Sequence, residues 1–97
     1  MQTAALKIEN KKGLHARAAA KFVKCAAEYP DTEIHVCAIE RNGTKEAVRV
    51  LATSVLGLLM LAAEKGATVY LEAIGNHTQE ALSALTALVA DKFQEGE

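Results

Sequence analysis

The chain has 97 residues, of which 51% are apolar, with 11 basic and 12 acidic side chains and a net charge of −1. That length accommodates one domain with a core large enough to fold without disulfides or metals. The charge balance excludes a general nucleic-acid binder, and two Phe, two Tyr and no Trp exclude a platform for stacking bases.

The two cysteines, Cys25 and Cys37, form no C-x-x-C motif, so packed thiols in a reducing compartment are the expectation. The first ten residues lack the basic-then-apolar pattern of a signal peptide. The longest uncharged stretch, residues 50–63, is too short to cross a bilayer. A cytoplasmic protein without nucleic-acid or membrane partners is expected.

In chain order, Leu6 and Ile8 alternate with Lys7 and Glu9, a short strand ending at Asn10. Lys11, Lys12 and Gly13 make a loop. From Ala16 the period becomes helical: Ala19, Phe22, Val23 and Ala26 share one buried face, and Arg17, Lys21 and Lys24 share another. Pro30 ends this helix, because proline disfavours helical geometry in the residue before it.

Ile34, Val36 and Ala38 alternate along a second strand, and Asn42-Gly43 turns the chain into a third strand holding Val48 and Val50. A two-residue turn would set Val36 against Arg49. A three-residue turn ending in a left-handed Gly43 sets Val36 against Val48 and Ile34 against Val50. The second register keeps one apolar face and is the expected one.

"SVLGLLMLAAEKG" reads as a helix opening near Ser54 and closing at Gly66. Val69, Leu71 and Ala73 alternate along a fourth strand over 67–74. Thr78 opens a last helix with Ala81, Leu82, Leu85, Leu88 and Val89 on its buried stripe. The final four residues are expected to fray. The order β-α-β-β-α-β-α predicts an α+β fold, an antiparallel sheet with helices on one face.

His15 falls between the first strand and the first helix, at about the N-cap. The first N–H groups of a helix lack internal acceptors and the helix dipole is positive there, so such an end attracts anions, phosphate above all. The same field disfavours the imidazolium, leaving a neutral, nucleophilic ring. A phosphoryl group on that ring could be held by the N–H groups of Ala16 and Arg17, with charge-assisted bonds from the Arg17 guanidinium. Small alanines at 16, 18, 19 and 20 would leave room for an approaching partner. The plainer reading is a polar loop histidine beside a solvated basic stripe of Arg17, Lys21 and Lys24.

"GLHARAAAKFV" closely resembles the active-site signature of the HPr family, the histidine-containing phosphocarriers of the bacterial phosphoenolpyruvate-dependent phosphotransferase system. "SVLGLLMLAAEKG" resembles the family's second signature, and "TVYLEAIGNHTQEALSALTALV" its last strand and helix. The resemblance covers nearly the whole chain in order and implies a single domain of that family over residues 1–97. It implies the open-faced β-sandwich, four antiparallel strands with three helices on one side.

It also implies a function: His15, through Nδ1, takes a phosphoryl group from enzyme I and passes it to an EIIA protein, with Arg17 stabilising the phosphate. This would serve sugar uptake or a regulatory, nitrogen-type branch. Such a protein is a phosphoryl-transfer carrier rather than a stand-alone enzyme, expected to be a monomer without cofactor or metal. Ser54 corresponds to the serine that HPr kinase/phosphorylase modifies in some bacteria, and by itself reads as a helix N-cap.

Three positions depart from the pattern: Ala18 where most members have proline, Thr53 where many have lysine before the serine, and a longer hairpin over 34–50. Ala18 leans towards the regulatory branch. Val55, Leu56 and Leu59 are left over once Leu58 and Leu61 fill the core. With Lys21 and Lys24 they would form the face that docks on enzyme I and EIIA. A non-catalytic interaction module of the same fold, controlled through Ser54, is the alternative. A metal site on His35 and Cys37 has too few ligands to be expected.

Overall fold

The computed structural model describes residues 1–95. Strand β1 (Gln2–Lys7) leads to helix α1 (Ala16–Ala27), strands β2 (Thr32–Arg41) and β3 (Thr44–Leu51), helix α2 (Val55–Met60), strand β4 (Thr68–Gly75) and helix α3 (Thr78–Ala90), with a one-turn 3-10 segment at Lys92–Gln94. The sheet order is β1-β4-β2-β3, and every neighbouring pair is antiparallel. This is the expected α+β open-faced sandwich. β1 ends earlier than the alternation suggests, but Ile8 continues the pairing through its N–H to the Ala67 carbonyl at 2.8 Å.

One face of the sheet carries Leu6, Val69, Leu71, Ala73, Ile34, Val36 and Ile39 into the core, where Phe22, Leu58, Leu85 and Phe93 meet them from the helical layer. Removing one such side chain from water contributes about 1.5–3 kcal/mol. The opposite face is polar: the Tyr70 hydroxyl donates to Glu40 at 2.7 Å, and the Lys45 ammonium lies 4.0 Å over the Tyr70 ring. Among the described residues no helix is long and apolar enough to cross a membrane.

The hairpin corrects the expected register. Asn42 and Gly43 have φ of 54° and 80°, the two-residue turn whose left-handed pair suits the twist of the strands. Arg41 therefore pairs with Thr44, and Ala38 with Ala47. Beyond them Val36 pairs with Val50, so Val48 and Arg49 together oppose Cys37. Against β4, Cys37 is the extra residue, between Val36–Leu71 and Ala38–Tyr70. The irregularity thus sits in a bulge and not in the turn. It switches the core-facing position from Val36 to Ile39, each 1% exposed, and so reconciles an Asn-Gly turn with one apolar face.

Helix α2 stops at Met60, six residues before Gly66. The carbonyls just past it are committed elsewhere: Arg41 donates to Leu61 at 2.6 Å and to Ala62 at 3.0 Å, and the Leu14 N–H donates to Ala63 at 2.8 Å. Ala62 takes the left-handed conformation that usually falls to glycine. These bonds bind the end of α2 to the hairpin and to the loop that precedes α1.

Candidate functional site

The site begins with the turn before α1. Asn10 is fully buried; its side-chain amide donates to the Gly13 carbonyl at 2.7 Å, and its own carbonyl accepts from the Gly13 N–H at 3.1 Å. Gly13 is left-handed, with φ of 67°. Leu14 is buried and tied to Ala63, so His15 projects from a backbone held on both sides.

His15 is the N-cap of α1, with extended backbone at φ −81° and ψ −178°. Its carbonyl accepts the first intrahelical bond, from Ala19 at 2.8 Å. Its Nδ1 accepts from the Arg17 N–H at 3.2 Å. A ring nitrogen that accepts from an amide carries a lone pair, so the proton resides on Nε2. Nε2 lies 2.5 Å from Oε2 of Glu95 and donates to it. The ring is a quarter exposed, with its basic nitrogen turned to the positive end of the helix.

Burial pulls the Glu95 carboxyl upward. Hydrogen bonds from His15 and Asn10, with the His15 ring and the Lys21 ammonium nearby, outweigh this and hold it below the ordinary carboxylate range. It is therefore an anion at neutral pH. The expectation of a frayed end fails at Gln94 and Glu95, because Phe93 is fully buried and anchors them; residues 96 and 97 lie outside the described part.

The other predicted residues are placed as follows. Ala16 and Arg17 are exposed at the first turn of α1, and among the described residues no ion pair engages the guanidinium. The Arg17 N–H is already occupied by Nδ1. Only two of the four alanines open towards solvent: Ala16 and Ala20 are exposed, whereas Ala18 and Ala19 are fully buried against the core. Lys24 is exposed, but Lys21 reaches back to donate to the Phe93 carbonyl at 2.6 Å and so departs from a freely solvated stripe.

Ser54 caps α2, accepting from the Gly57 N–H at 3.0 Å. Loss of that bond in Ser54→Ala is expected to cost about 1 kcal/mol, read as a lower urea midpoint with an unchanged slope. Val55, Leu56 and Leu59 of α2, which packs on α1, are exposed; so are Leu51 and Met60, which periodicity did not single out.

The structure separates two histidines that occupy the same local position. His77 also stands at a helix start, α3, but its Nδ1 is 2.7 Å from Asp31 and caps nothing. The hydrogen bond to Asp31 and its charge raise the His77 pKa. That ring is biased towards the imidazolium, with Nδ1 occupied. His35 is buried with Nε2 3.3 Å from Glu33. Only His15 turns a lone pair into a helix end.

An open-faced antiparallel sheet with an imidazole lone pair at a helix N-terminus, beside an exposed arginine, is the arrangement expected of a small phosphoryl-carrying protein. The chain belongs to the HPr family of the phosphotransferase system: the family model described as "PTS HPr component phosphorylation site" matches residues 2–91. It is 46% identical to the phosphocarrier protein HPr of Cupriavidus necator over 90 residues, which are 93% of this chain and 92% of that one. It is also 46% identical to the phosphocarrier protein NPr of Shewanella violacea over 86 residues, 89% of this chain and 86% of the other. Among solved structures, HPr-C-His from Thermoanaerobacter tengcongensis superposes with a TM-score of 0.79 at 37% identity, covering 98% of both chains. The protein is accordingly a phosphocarrier whose partners are components of that system.

Proposed function

We propose that His15 is the phosphoryl acceptor, through Nδ1, taking the group from phospho-enzyme I and delivering it to an EIIA protein. The observation that carries this is the pair of bonds on the ring, Arg17 N–H to Nδ1 at 3.2 Å and Nε2–H to Glu95 at 2.5 Å. They leave Nδ1 as the basic atom, at a helix start where backbone N–H groups can receive phosphate oxygens. In the transfer the Nδ1 lone pair bonds to phosphorus while the bond from phosphorus to the donor breaks, its electron pair staying with the donor. The Arg17 N–H then exchanges its ring acceptor for a phosphate oxygen, the Ala16 N–H takes another, and the guanidinium folds over the third. No cofactor takes part.

The exposed Val55, Leu56 and Leu59, with Lys24 on the neighbouring helix, supply a face for enzyme I and EIIA. Lys21 supports the site from its edge. Ser54 is the regulatory position; a phosphate there would meet the N-terminus of α2, which favours the charge. HPr kinase/phosphorylase is its modifying enzyme in this reading. Ala18 is fully buried, so it bears on the branch through the stiffness of the first helical turn. The equal identity to an HPr and an NPr favours neither sugar uptake nor the nitrogen-type branch. The protein acts as a cytoplasmic monomer.

The test is radiolabelled phosphoenolpyruvate with enzyme I, followed by a chase with sugar-type and nitrogen-type EIIA proteins. Acid-labile label on the carrier that moves to one EIIA supports the reading and names the branch. Absence of label from every enzyme I offered overturns it in favour of a non-catalytic module.

A further inference from the structure

We propose that Glu95 is a positioning residue for His15, a carboxylate that holds the ring in its Nε2–H tautomer and stabilises the positive charge the ring acquires when Nδ1 bonds to phosphorus. This rests on the reading of His15 as acceptor.

The geometry is that of a built contact. Oε2 of Glu95 accepts from His15 Nε2 at 2.5 Å, and Oε1 accepts from the Asn10 amide at 3.0 Å. Asn10 is fully buried and itself fixed to Gly13, so both carboxylate oxygens are aimed. The chain reaches this place by an unusual route. Lys92, Phe93 and Gln94 all have positive φ, of 53°, 54° and 64°. Three successive non-glycine residues adopt the left-handed region only where tertiary contacts over-determine it. Here the Phe93 ring is fully buried and its carbonyl accepts from Lys21 at 2.6 Å. The left-handed turn reverses the chain after α3 and sets residue 95 against the start of α1.

The chemistry follows from the proton count. When Nδ1 forms its bond to phosphorus, no proton leaves the ring, and the positive charge spreads to Nε2–H. A fixed carboxylate at Nε2 stabilises that product and the transition state before it, as the carboxylate of a carboxylate–histidine pair does when its imidazole becomes charged.

The variants are Glu95→Gln, which keeps an acceptor and deletes the charge, and Phe93→Ala, which keeps the carboxylate and releases the turn. Both are expected to lower the rate of phosphorylation by enzyme I roughly tenfold, with the KM for the carrier unchanged. The spectroscopic arm needs no phosphorylation. In wild type, nitrogen-15 NMR is expected to show His15 as the Nε2–H tautomer, with a strongly deshielded, slowly exchanging ring N–H. In both variants that proton loses its strong deshielding and exchanges faster, and in Glu95→Gln the α1 amides keep their shifts. If wild type is phosphorylated on His15 and the variants match it in rate and ring spectrum, the Glu95 role is wrong and the acceptor reading stands. If wild type takes no phosphoryl group, the acceptor reading falls, and the charge-stabilising role falls with it even where the ring contact is seen.

Discussion

His15→Asn is expected to accept no phosphoryl group from enzyme I, its labelling falling by more than about a thousandfold to the background of the assay. Asparagine is chosen because it is among the best N-caps, so its side-chain oxygen can take over the Arg17 N–H that Nδ1 accepts in wild type. Stability should therefore stay within about 1 kcal/mol of wild type. A loss of labelling is then a loss of the nucleophile and not of the helix. Arg17→Ala provides the graded comparison. Its guanidinium is exposed and would supply charge-assisted bonds of about 1.5–3 kcal/mol to the transferring group, which corresponds to roughly a tenfold to hundredfold slower transfer. Acid-labile label persisting in His15→Asn would move the site to another histidine. The candidates are poor: His35 is buried, and His77 has its Nδ1 bound to Asp31.

Gly13→Ala is expected to destabilise the protein by about 2–5 kcal/mol, with slower phosphorylation as a secondary effect. Two costs combine. The left-handed backbone at φ 67° strains any L side chain by about 1–2 kcal/mol. A methyl group there would also stand 2.5 Å from the Ala63 carbonyl oxygen and 2.9 Å from the Glu64 Cα, both backbone atoms that cannot rotate aside. Relief requires lengthening the 2.8 Å bond from Leu14 N–H to Ala63, at about 1–3 kcal/mol for a buried pair. Gly66→Ala separates the terms, since Gly66 has φ of 96° and nothing within 4 Å of an added Cβ. It should cost about 1 kcal/mol, the backbone strain alone. Urea unfolding of the two variants gives the difference directly; equal midpoints would show that the Ala63 contact does not constrain Gly13. Because Leu14 adjoins His15, the same clash displaces the histidine, and the phosphorylation rate reports that displacement.

The elements most legible in the sequence are those set by local forces. The 3.6-residue spacing of Ala19, Phe22 and Ala26, and the stripe of Ala81, Leu82, Leu85 and Val89, emerge as buried helix faces, with the expected Val23 and Leu88 only half-buried at their edges, because burial of a periodic face needs only a partner layer, whichever it is. His15 at a helix start was likewise readable, because capping and the helix dipole act within four residues. So was the surplus of apolar residues at Val55, Leu56 and Leu59, since a six-residue helix on one sheet has only one face to bury.

What only the tertiary structure decided depends on groups distant in sequence. The bulge at Cys37 is a settlement between β3 and β4 over the register of β2, and neither neighbour is visible in the alternation of Ile34 and Val36. The end of α2 at Met60 is drawn by Arg41 and Leu14, not by Gly66. Ala18 turned inward beside Ala19 where an open cradle was expected, because α1 packs on α2 and α3 together. The choice between His15 and His77, both at helix starts, falls to two carboxylates. Asp31 takes the Nδ1 of one ring, and Glu95 takes the Nε2 of the other from 80 residues away. Sequence placed a histidine where a helix could bind phosphate. The Arg17 N–H at Nδ1 is local too, but the Glu95 carboxylate that meets Nε2 is one that only the folded chain brings near.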